Sequence, residues 1–368
     1  EESMRILESI AKLAPENKNL VKKVYALAFT SKLTTQFKNY LEQAYHKWPS
    51  DSEVVFLYAK QLEENGKFSE AIAALIKNQI EEYTPEYIHF AVKLLMHLWL
   101  LDITFNAEMV EFSKNIYKQL ECSISGDNRD IEFELDLAEM NLLFGDFELG
   151  FNIYHGLMDL HDEKISYMHW RMHRGLAVIA ANSKNFDAAL AALNTAIQEK
   201  PSEETLYLLL AKLNFQDNRL YEANKACDLL LCSTCNRLDT LAWIITQLKL
   251  VKQYGKAVEL VKSELLHAPV SLENNLQLIE LLILSGETQE ASEKLEKLLQ
   301  AYSENDSALQ QISLAFYDMG EEYKSLEVFK MSINGKAQSP LEDYFTHAYL
   351  LMANEKYQDS IDVVEKGM

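Results

Sequence analysis

Histidines are concentrated in one stretch, His155–Arg174, which reads HGLMDLHDEKISYMHWRMHR. His169 and His173 are four residues apart and share a face if the segment is helical, as two metal ligands can. Asp162 and Glu163 lie nearby in sequence. The set lacks any recognised ligand spacing and straddles an irregular segment. We therefore interpret it as polar surface or groove lining and predict no metal site.

Cysteines form the second candidate for chemistry. Three of the four cysteines in the chain lie in CDLLLCSTC, at Cys227, Cys232 and Cys235, and the last two form a CxxC. A zinc site requires a second pair of ligands at matching spacing, and none is near in sequence. Reduced structural cysteines are the favoured interpretation. A local disulfide and a metal or redox role are the alternatives.

Catalytic signatures are missing from the sequence: it contains no GxGxxG, P-loop, HExxH or GxSxG motif. Adjacent carboxylates such as Glu63 and Glu64 fall on predicted turns or exposed helix faces. We predict a protein without enzymatic activity that uses no cofactor.

Charge and hydropathy exclude further classes. The net charge of −21 argues against nucleic acid and anionic membrane as partners, since both require a basic surface. No apolar run reaches the roughly 18–20 residues of a membrane span, so direct membrane insertion is not expected. The sequence begins with Glu1 rather than Met, which suggests a fragment. We expect a cytoplasmic location.

The elements that must position any site are helices arranged in repeats. Gly66–Pro85 (GKFSEAIAALIKNQIEEYTP) and Ser183–Ser202 (SKNFDAALAALNTAIQEKPS) share a turn, an aromatic residue, an alanine and a helical apolar face. Steps of 34 residues from Ala189 lead to small residues at Ala223, Ala257, Ala291 and Ser325, and a step of 35 leads to Ser360. Such a period indicates stacked supersecondary units.

The pattern resembles the tetratricopeptide repeat family over nearly the whole chain. The eighth residue of a unit is small at Ala59, Ala138, Ala177, Ala211 and Ser313, and prolines close units at Pro49, Pro201 and Pro269. The family's tryptophan at the fourth position is missing from every unit. The unit that begins at Glu86 matches poorly, with Lys93 and Phe105 in place of small residues.

The resemblance implies an all-α, right-handed solenoid of about ten 34-residue helix–turn–helix units. Units begin near residues 18, 52, 86, 131, 170, 204, 238, 272, 306 and 340. We predict amino-terminal repeats over residues 1–119, an inserted loop over 120–130 and carboxy-terminal repeats over 131–368, with a small insertion near 165–169.

The resemblance also implies a protein–protein interaction scaffold that binds a protein or peptide segment in a concave groove. The groove residues transferred from the family pattern are Phe56, Lys60, Phe90, Leu94, His97, Leu135, Glu139, Arg171, Arg174, Val178, Leu208, Lys212 and Phe215. Farther along, Leu276, Ile283, Leu314, Tyr344 and Leu351 make the groove more apolar, which favours an amphipathic helix as ligand.

Two known specialisations of the family do not fit. Lys22 matches the lysine of the clamp for chaperone tails, but Ala26 stands where that clamp requires asparagine. The asparagine ladder of the glycosyltransferase arrays is also missing. Two alternatives remain: the repeat region of a larger multidomain enzyme or secretion or assembly machine, and a homo-oligomer formed through the terminal repeats.

Charge gives one local hypothesis. The segment 127–148 carries eight acidic residues and one basic residue. Equivalent positions of adjacent repeats are spatial neighbours, so Glu132 and Glu139 are expected to face Arg171 and Arg174. The two interpretations are an ion-pair network between repeats, with small net stabilisation, and a two-signed patch that recognises a charged peptide.

Overall fold

The computed structural model describes residues 19, 22–24, 34–78, 83–124, 130–160, 163–233, 238–267, 271–333 and 340–367. All regular secondary structure in these residues is helical. The helices are α1 (Thr34–Lys47), α2 (Ser52–Glu64), α3 (Phe68–Lys77), α4 (Pro85–Leu100), α5 (Ala107–Ile124), α6 (Ile131–Phe144), α7 (Phe147–Met158), α8 (Glu163–Ser166), α9 (His169–Asn182), α10 (Phe186–Glu199), α11 (Glu204–Gln216), α12 (Leu220–Ser233), α13 (Leu238–Leu250), α14 (Tyr254–His267), α15 (Leu272–Ser285), α16 (Thr288–Ala301), α17 (Asp306–Asp318), α18 (Glu322–Ile333), α19 (Leu341–Ala353) and α20 (Tyr357–Gly367).

Helices pack in consecutive pairs, each with a first and a second helix. Among the described helices the first helices are α2, α4, α6, α9, α11, α13, α15, α17 and α19, and within each unit we call the surface they form the first-helix face. The small residues of the repeat pattern lie inside the pairs: Ala59, Ala177, Ala189, Ala257 and Ser313 have no exposed surface. Small side chains let the helix backbones approach closely. The prediction of an all-α repeat array is confirmed.

In each of the nine pairs for which both helices are described, a left-handed residue with φ between 57° and 85° joins the two helices. The nine positions are Gly66, Asp102, Gly145, Lys184, Asn218, Lys252, Gly286, Gly320 and Glu355. At one of them, Lys184 N–H donates to the Ala181 carbonyl (2.8 Å) and Asn185 N–H to the Ala180 carbonyl (3.0 Å). These bonds satisfy the last carbonyls of the first helix. The period is thus a property of the backbone, even where the residue is not glycine.

The spacing of these residues locates the insertions. Consecutive left-handed residues are 34 residues apart at each step from Lys184 to Gly320. The interval from Asp102 to Gly145 is 43 residues, and α5 extends through Ile124 within it. Residues 120–124 of the predicted inserted loop are therefore helical, and residues 125–129 lie outside the described residues. The second insertion, near 165–169, overlaps the short helix α8, in which Ile165 is fully buried.

The chain divides into two compact units, Glu1–Ile244 and Ile245–Met368, and the division falls within α13. In the first unit, the pairs do not contact only their neighbours. α4 packs against α11, although the α6–α7 and α9–α10 pairs lie between them in sequence. A simple solenoid, in which each repeat touches only adjacent repeats, does not predict this contact.

Candidate protein-binding surfaces

Four charged side chains link α6 and α9 in the first unit. Asp136 and Glu139 lie three residues apart on α6, and Arg171 and Arg174 lie three apart on α9, so each pair shares a helix face. Arg171 donates from Nε to Glu139 (2.8 Å) and from Nη2 to Asp136 (2.6 Å). Arg174 Nη2 donates to the same Glu139 oxygen at 2.6 Å. Both carboxylates are almost fully buried, with relative exposures of 1% and 2%.

The network continues to the helices on either side. His89 of α4 bonds to Asp136, and Arg174 Nη1 donates to Thr205 Oγ1 of α11 at 2.8 Å. Thr205 in turn donates to Glu203 at 2.9 Å. Four successive first helices are thus joined by polar contacts, which we call the ion network.

Electrostatics within the ion network favour the charged forms. Burial alone would raise the pKa of Glu139, but the charges and hydrogen bonds of Arg171 and Arg174 outweigh it and lower that pKa. The hydrogen bond to Asp136 raises the pKa of His89. The network therefore consists of compensated charges rather than buried neutral groups.

Sequence reasoning anticipated part of this network. Glu139 pairs with both Arg171 and Arg174, as expected. Glu132 pairs with neither arginine and instead lies 3.4 Å from the Tyr167 hydroxyl and 3.4 Å from His89 Nε2. Asp136 was missed, although its spacing from Glu139 equals the spacing of the two arginines and could have identified it.

Tyr154 of α7 packs against α9 at Gly175, next to Arg174 of the ion network. Its side chain is fully buried, and its hydroxyl has no hydrogen-bond partner among the described residues. Gly175 of α9 lies against the ring, because a Cβ at that position would approach Tyr154 Cε2 to 2.2 Å. A glycine at 175 is therefore required for α9 to bring its arginines over α6.

A second set of contacts, which we call the latch, closes the first unit across non-adjacent repeats. Lys212 Nζ of α11 donates to Asp102 Oδ1 (2.6 Å) and to the Leu100 carbonyl (3.1 Å) at the end of α4. Trp243 Nε1 of α13 donates to Asp102 Oδ2 at 3.0 Å. Nearby, Asp239 accepts from Ser69 N–H at the start of α3, at 3.0 Å. Sequence reasoning missed the latch, since a repeat pattern predicts contacts between neighbours only.

A cavity of about 610 Å³ lies beside the latch, among the carboxyl ends of α4, α9 and α11. Trp99, Phe147 and Phe186 form aromatic walls, and Lys184 and Lys212 lie at its polar side. Val178 and Lys212 are the predicted groove residues that line it.

Most predicted groove residues are enclosed in the structure. Nine of the thirteen are buried: Phe90, Leu94, His97, Leu135, Glu139, Arg174, Val178, Leu208 and Phe215. The other four, Phe56, Lys60, Arg171 and Lys212, are partly exposed. Lys60 Nζ lies 4.3 Å from the centre of the Phe56 ring, and Lys212 belongs to the latch. A side chain without exposed surface makes no ligand contact in this conformation, and binding at these positions stays a prediction.

In the second unit, several of the same positions of the repeat are exposed to solvent. A cavity of about 380 Å³ lies between α15 and α17, with Leu276, Ile283 and Leu314 among its apolar walls. Its charged lining consists of Glu273, Glu280 and Asp318. The sequence analysis selected the three apolar residues, and the structure brings them together. We call this cavity and its continuation on α19 the acidic groove.

On α19 the phase of the pattern differs from the prediction by one residue. α19 starts 35 residues after α17, and its small buried residue is Ala348, 35 residues after Ser313. The positions that follow Leu314 and Tyr317 are thus Tyr349 and Met352. The prediction of Leu351 in the groove is wrong, because Leu351 is 2% exposed and packs against α18 residues in the core.

Aromatic and apolar side chains extend the acidic groove along α19. Phe345, Tyr349 and Met352 occupy its fifth, ninth and twelfth positions, and each is slightly more than half exposed, at 55%, 51% and 53%. The Tyr349 and Tyr317 hydroxyls share a hydrogen bond of 2.7 Å. This bond joins the α17 and α19 parts of the surface.

Metal, cysteine and membrane chemistry receive no support from the described residues. Within them no group of three potential ligands surrounds a metal position, while His161 and Asp162 of the histidine stretch lie outside. Cys122 is exposed and Cys227 is buried. Cys235 lies outside the described residues, as does the side chain of Cys232. None of the described helices combines the length and the apolar character of a membrane span.

Comparison with known proteins identifies the class to which these repeats belong. The family model described as tetratricopeptide repeat matches residues 159–204, which include all of α9 and α10. The predicted resemblance to this family is confirmed, and residues 159–204 match a tetratricopeptide repeat. No curated protein matches the sequence.

Solved structures with similar folds are distant. A chain of the APC/C hetero-tetramer Cut9–Hcn1 matches with a TM-score of 0.46 and 11% identity, over 100% of this chain and 66% of that chain. PilW, a type IV pilus biogenesis factor, matches with a TM-score of 0.33 and 14% identity, over 55% of this chain and 91% of that chain. MamA matches with a TM-score of 0.29 and 13% identity, over 45% of this chain and 94% of that chain. The chain thus spans less than two thirds of the first of these structures, and such scores carry no inference about function.

Proposed function

We propose that this protein is a non-enzymatic scaffold that binds a segment of a partner protein in the acidic groove. Tetratricopeptide repeats bind protein partners, and the repeats support an interaction scaffold here. The observation that carries the choice of surface is the exposure of the inner positions in the second unit. Leu314, Phe345 and Tyr349 are 44–55% exposed, whereas the corresponding residues of the first unit are largely enclosed.

The apolar content of the acidic groove is what favours a protein segment as ligand. Exposed apolar side chains that lie together on a surface commonly mark interaction sites. Aromatic and methionine side chains are enriched in the centres of such interfaces. A helix laid along α15, α17 and α19 would bury its own apolar face against these residues. The absence of nucleic-acid binding and a cytoplasmic location stay predictions of this proposal.

The test is a selection of displayed peptides against the full chain, followed by affinity measurements with two matched variants. Leu314→Glu places a charge inside the acidic groove, and we expect selected peptides to lose at least about tenfold in affinity, or about 1.4 kcal/mol. Leu266→Glu makes the same change at an 81% exposed leucine outside the groove and is expected to leave affinity unchanged.

A third variant separates the two units. Lys184→Glu reverses a charge at the cavity beside the latch. Peptides that ignore Leu314→Glu but respond to Lys184→Glu would move the binding surface to the first unit and overturn the proposal.

A further inference from the structure

The charges of the acidic groove have one sign. Glu273, Glu280 and Asp318 line the cavity, and no lysine, arginine or histidine lines it. One cation lies beside it: Lys249 Nζ contacts Glu280 Oε1 at 2.5 Å. Among the described residues, the three carboxylates and this ammonium leave a local excess of two negative charges.

Two of these carboxylates, those of Glu280 and Asp318, line the same cavity and repel each other. Partial burial raises the pKa of Asp318, and the nearby charge of Glu280 raises it further. Like charges held together at a partly desolvated surface destabilise one another, and a cation placed between them relieves the repulsion. Leu276, Ile283 and Leu314 line the same cavity as the carboxylates, so the site offers apolar contact and negative charge together.

From this charge complementarity we propose that the partner segment is basic and apolar, with lysine or arginine one helical turn from a large apolar residue. The apolar residue would occupy the space among Leu276, Ile283 and Leu314, and the cation would lie between Glu280 and Asp318. This inference rests on the proposed function of the acidic groove and adds the chemistry of its ligand. Complementary charge of this kind governs specificity and association rate.

The experiment uses two synthetic amphipathic helical peptides of one length, identical except that one carries lysines and the other glutamines on its polar face. With the full chain, we expect the lysine peptide to bind at least about tenfold more tightly. Its affinity should fall as NaCl rises from about 0.05 to 0.5 M, because salt screens the attraction. Glu280→Gln with Asp318→Asn should abolish most of the difference between the two peptides.

A matched double variant controls for the general negative charge of the chain. Glu304→Gln with Glu365→Gln removes two exposed acidic side chains outside the groove and should leave the difference unchanged. Equal loss in both double variants would show non-specific attraction and overturn the inference.

The remaining outcomes separate this inference from the proposed function. If both peptides bind equally, are insensitive to salt and are weakened by Leu314→Glu, the groove binds segments but the basic preference is wrong. If a peptide selected for binding is acidic, the inference fails in the same way. If no peptide of any charge responds to Leu314→Glu, the proposed function itself fails.

Discussion

The two units put the same repeat positions to opposite uses. In residues 1–244, the fifth and ninth positions of the first helices include Leu94, Leu135 and Leu208, which have no exposed surface. In residues 245–368, Leu314, Phe345 and Tyr349 occupy those positions and are about half exposed. A shared repeat pattern therefore determines where a residue lies in its helix pair. It does not determine whether the face is available to a ligand.

Among the described residues, two sets of contacts in the first unit accompany this difference. The ion network joins α4, α6, α9 and α11 with paired charges, and the latch connects the end of α4 to α11 and α13. On α15, α17 and α19 the apolar residues that face neighbouring helices are buried, whereas Leu314, Phe345, Tyr349 and Met352 are about half exposed.

The largest expected effect comes from breaking the ion network. Glu139→Gln leaves Arg174 buried with the Thr205 hydroxyl, the Trp170 ring and a neutral amide as its described partners. Removing one member of a buried, charged network costs about 3 kcal/mol or more. Denaturant unfolding should report this loss. The same change in the second unit, Glu280→Gln, affects an exposed pair with Lys249 and should cost about 0–1 kcal/mol. Equal effects would contradict the contrast between the units.

A smaller effect is expected at the latch. Asp102→Asn retains the shape and tolerates the left-handed backbone at φ 58°, but removes the charge that holds Lys212. We expect a loss of about 1 kcal/mol and faster amide hydrogen exchange at the end of α4 and in α11. Glu108→Gln, at an exposed acid on α5, serves as the control. Unchanged exchange at α4 and α11 would show that the latch does not hold this region closed.

The smallest effect is pH-dependent. The hydrogen bond to Asp136 raises the pKa of His89 in the folded protein above its ordinary value of 6.5. Protonated His89 therefore stabilises the fold fully below pH 6.5, and this stabilisation is lost as the pH rises through the raised pKa. His89→Gln should remove this part of the pH dependence, which lies above pH 6.5. Glu139 acts in the opposite sense, because its lowered pKa makes its contribution disappear only at acidic pH. A His89→Gln profile parallel to that of the wild-type chain would refute this role for His89.

The fold was predictable from sequence because its determinants are local. Ala189, Ala223, Ala257 and Ala291 recur at intervals of 34 residues and are all fully buried. The face of each helix also follows from this register. On α19 the register shifts by one residue, which exchanges Leu351 for Met352 at the surface.

Whether the predicted groove residues are exposed to solvent was not predictable in the same way. Lys212 and Asp102 are separated by 110 residues, and nothing local in either segment indicates that they meet. Whether Leu94 or Leu135 is exposed depends on such distant contacts. The acidic groove was easier to find, because it is built from adjacent helices and depends on the repeat alone.

Hydroxyl-radical footprinting of the full chain tests the central claim most directly, because it reports side-chain exposure without a ligand. We expect Leu94, Leu135 and Leu208 to be protected, while Leu314, Phe345, Tyr349 and Met352 are oxidised many times faster after correction for intrinsic reactivity. Comparable corrected rates in the two sets would show that the two units do not differ at these positions and would contradict the account.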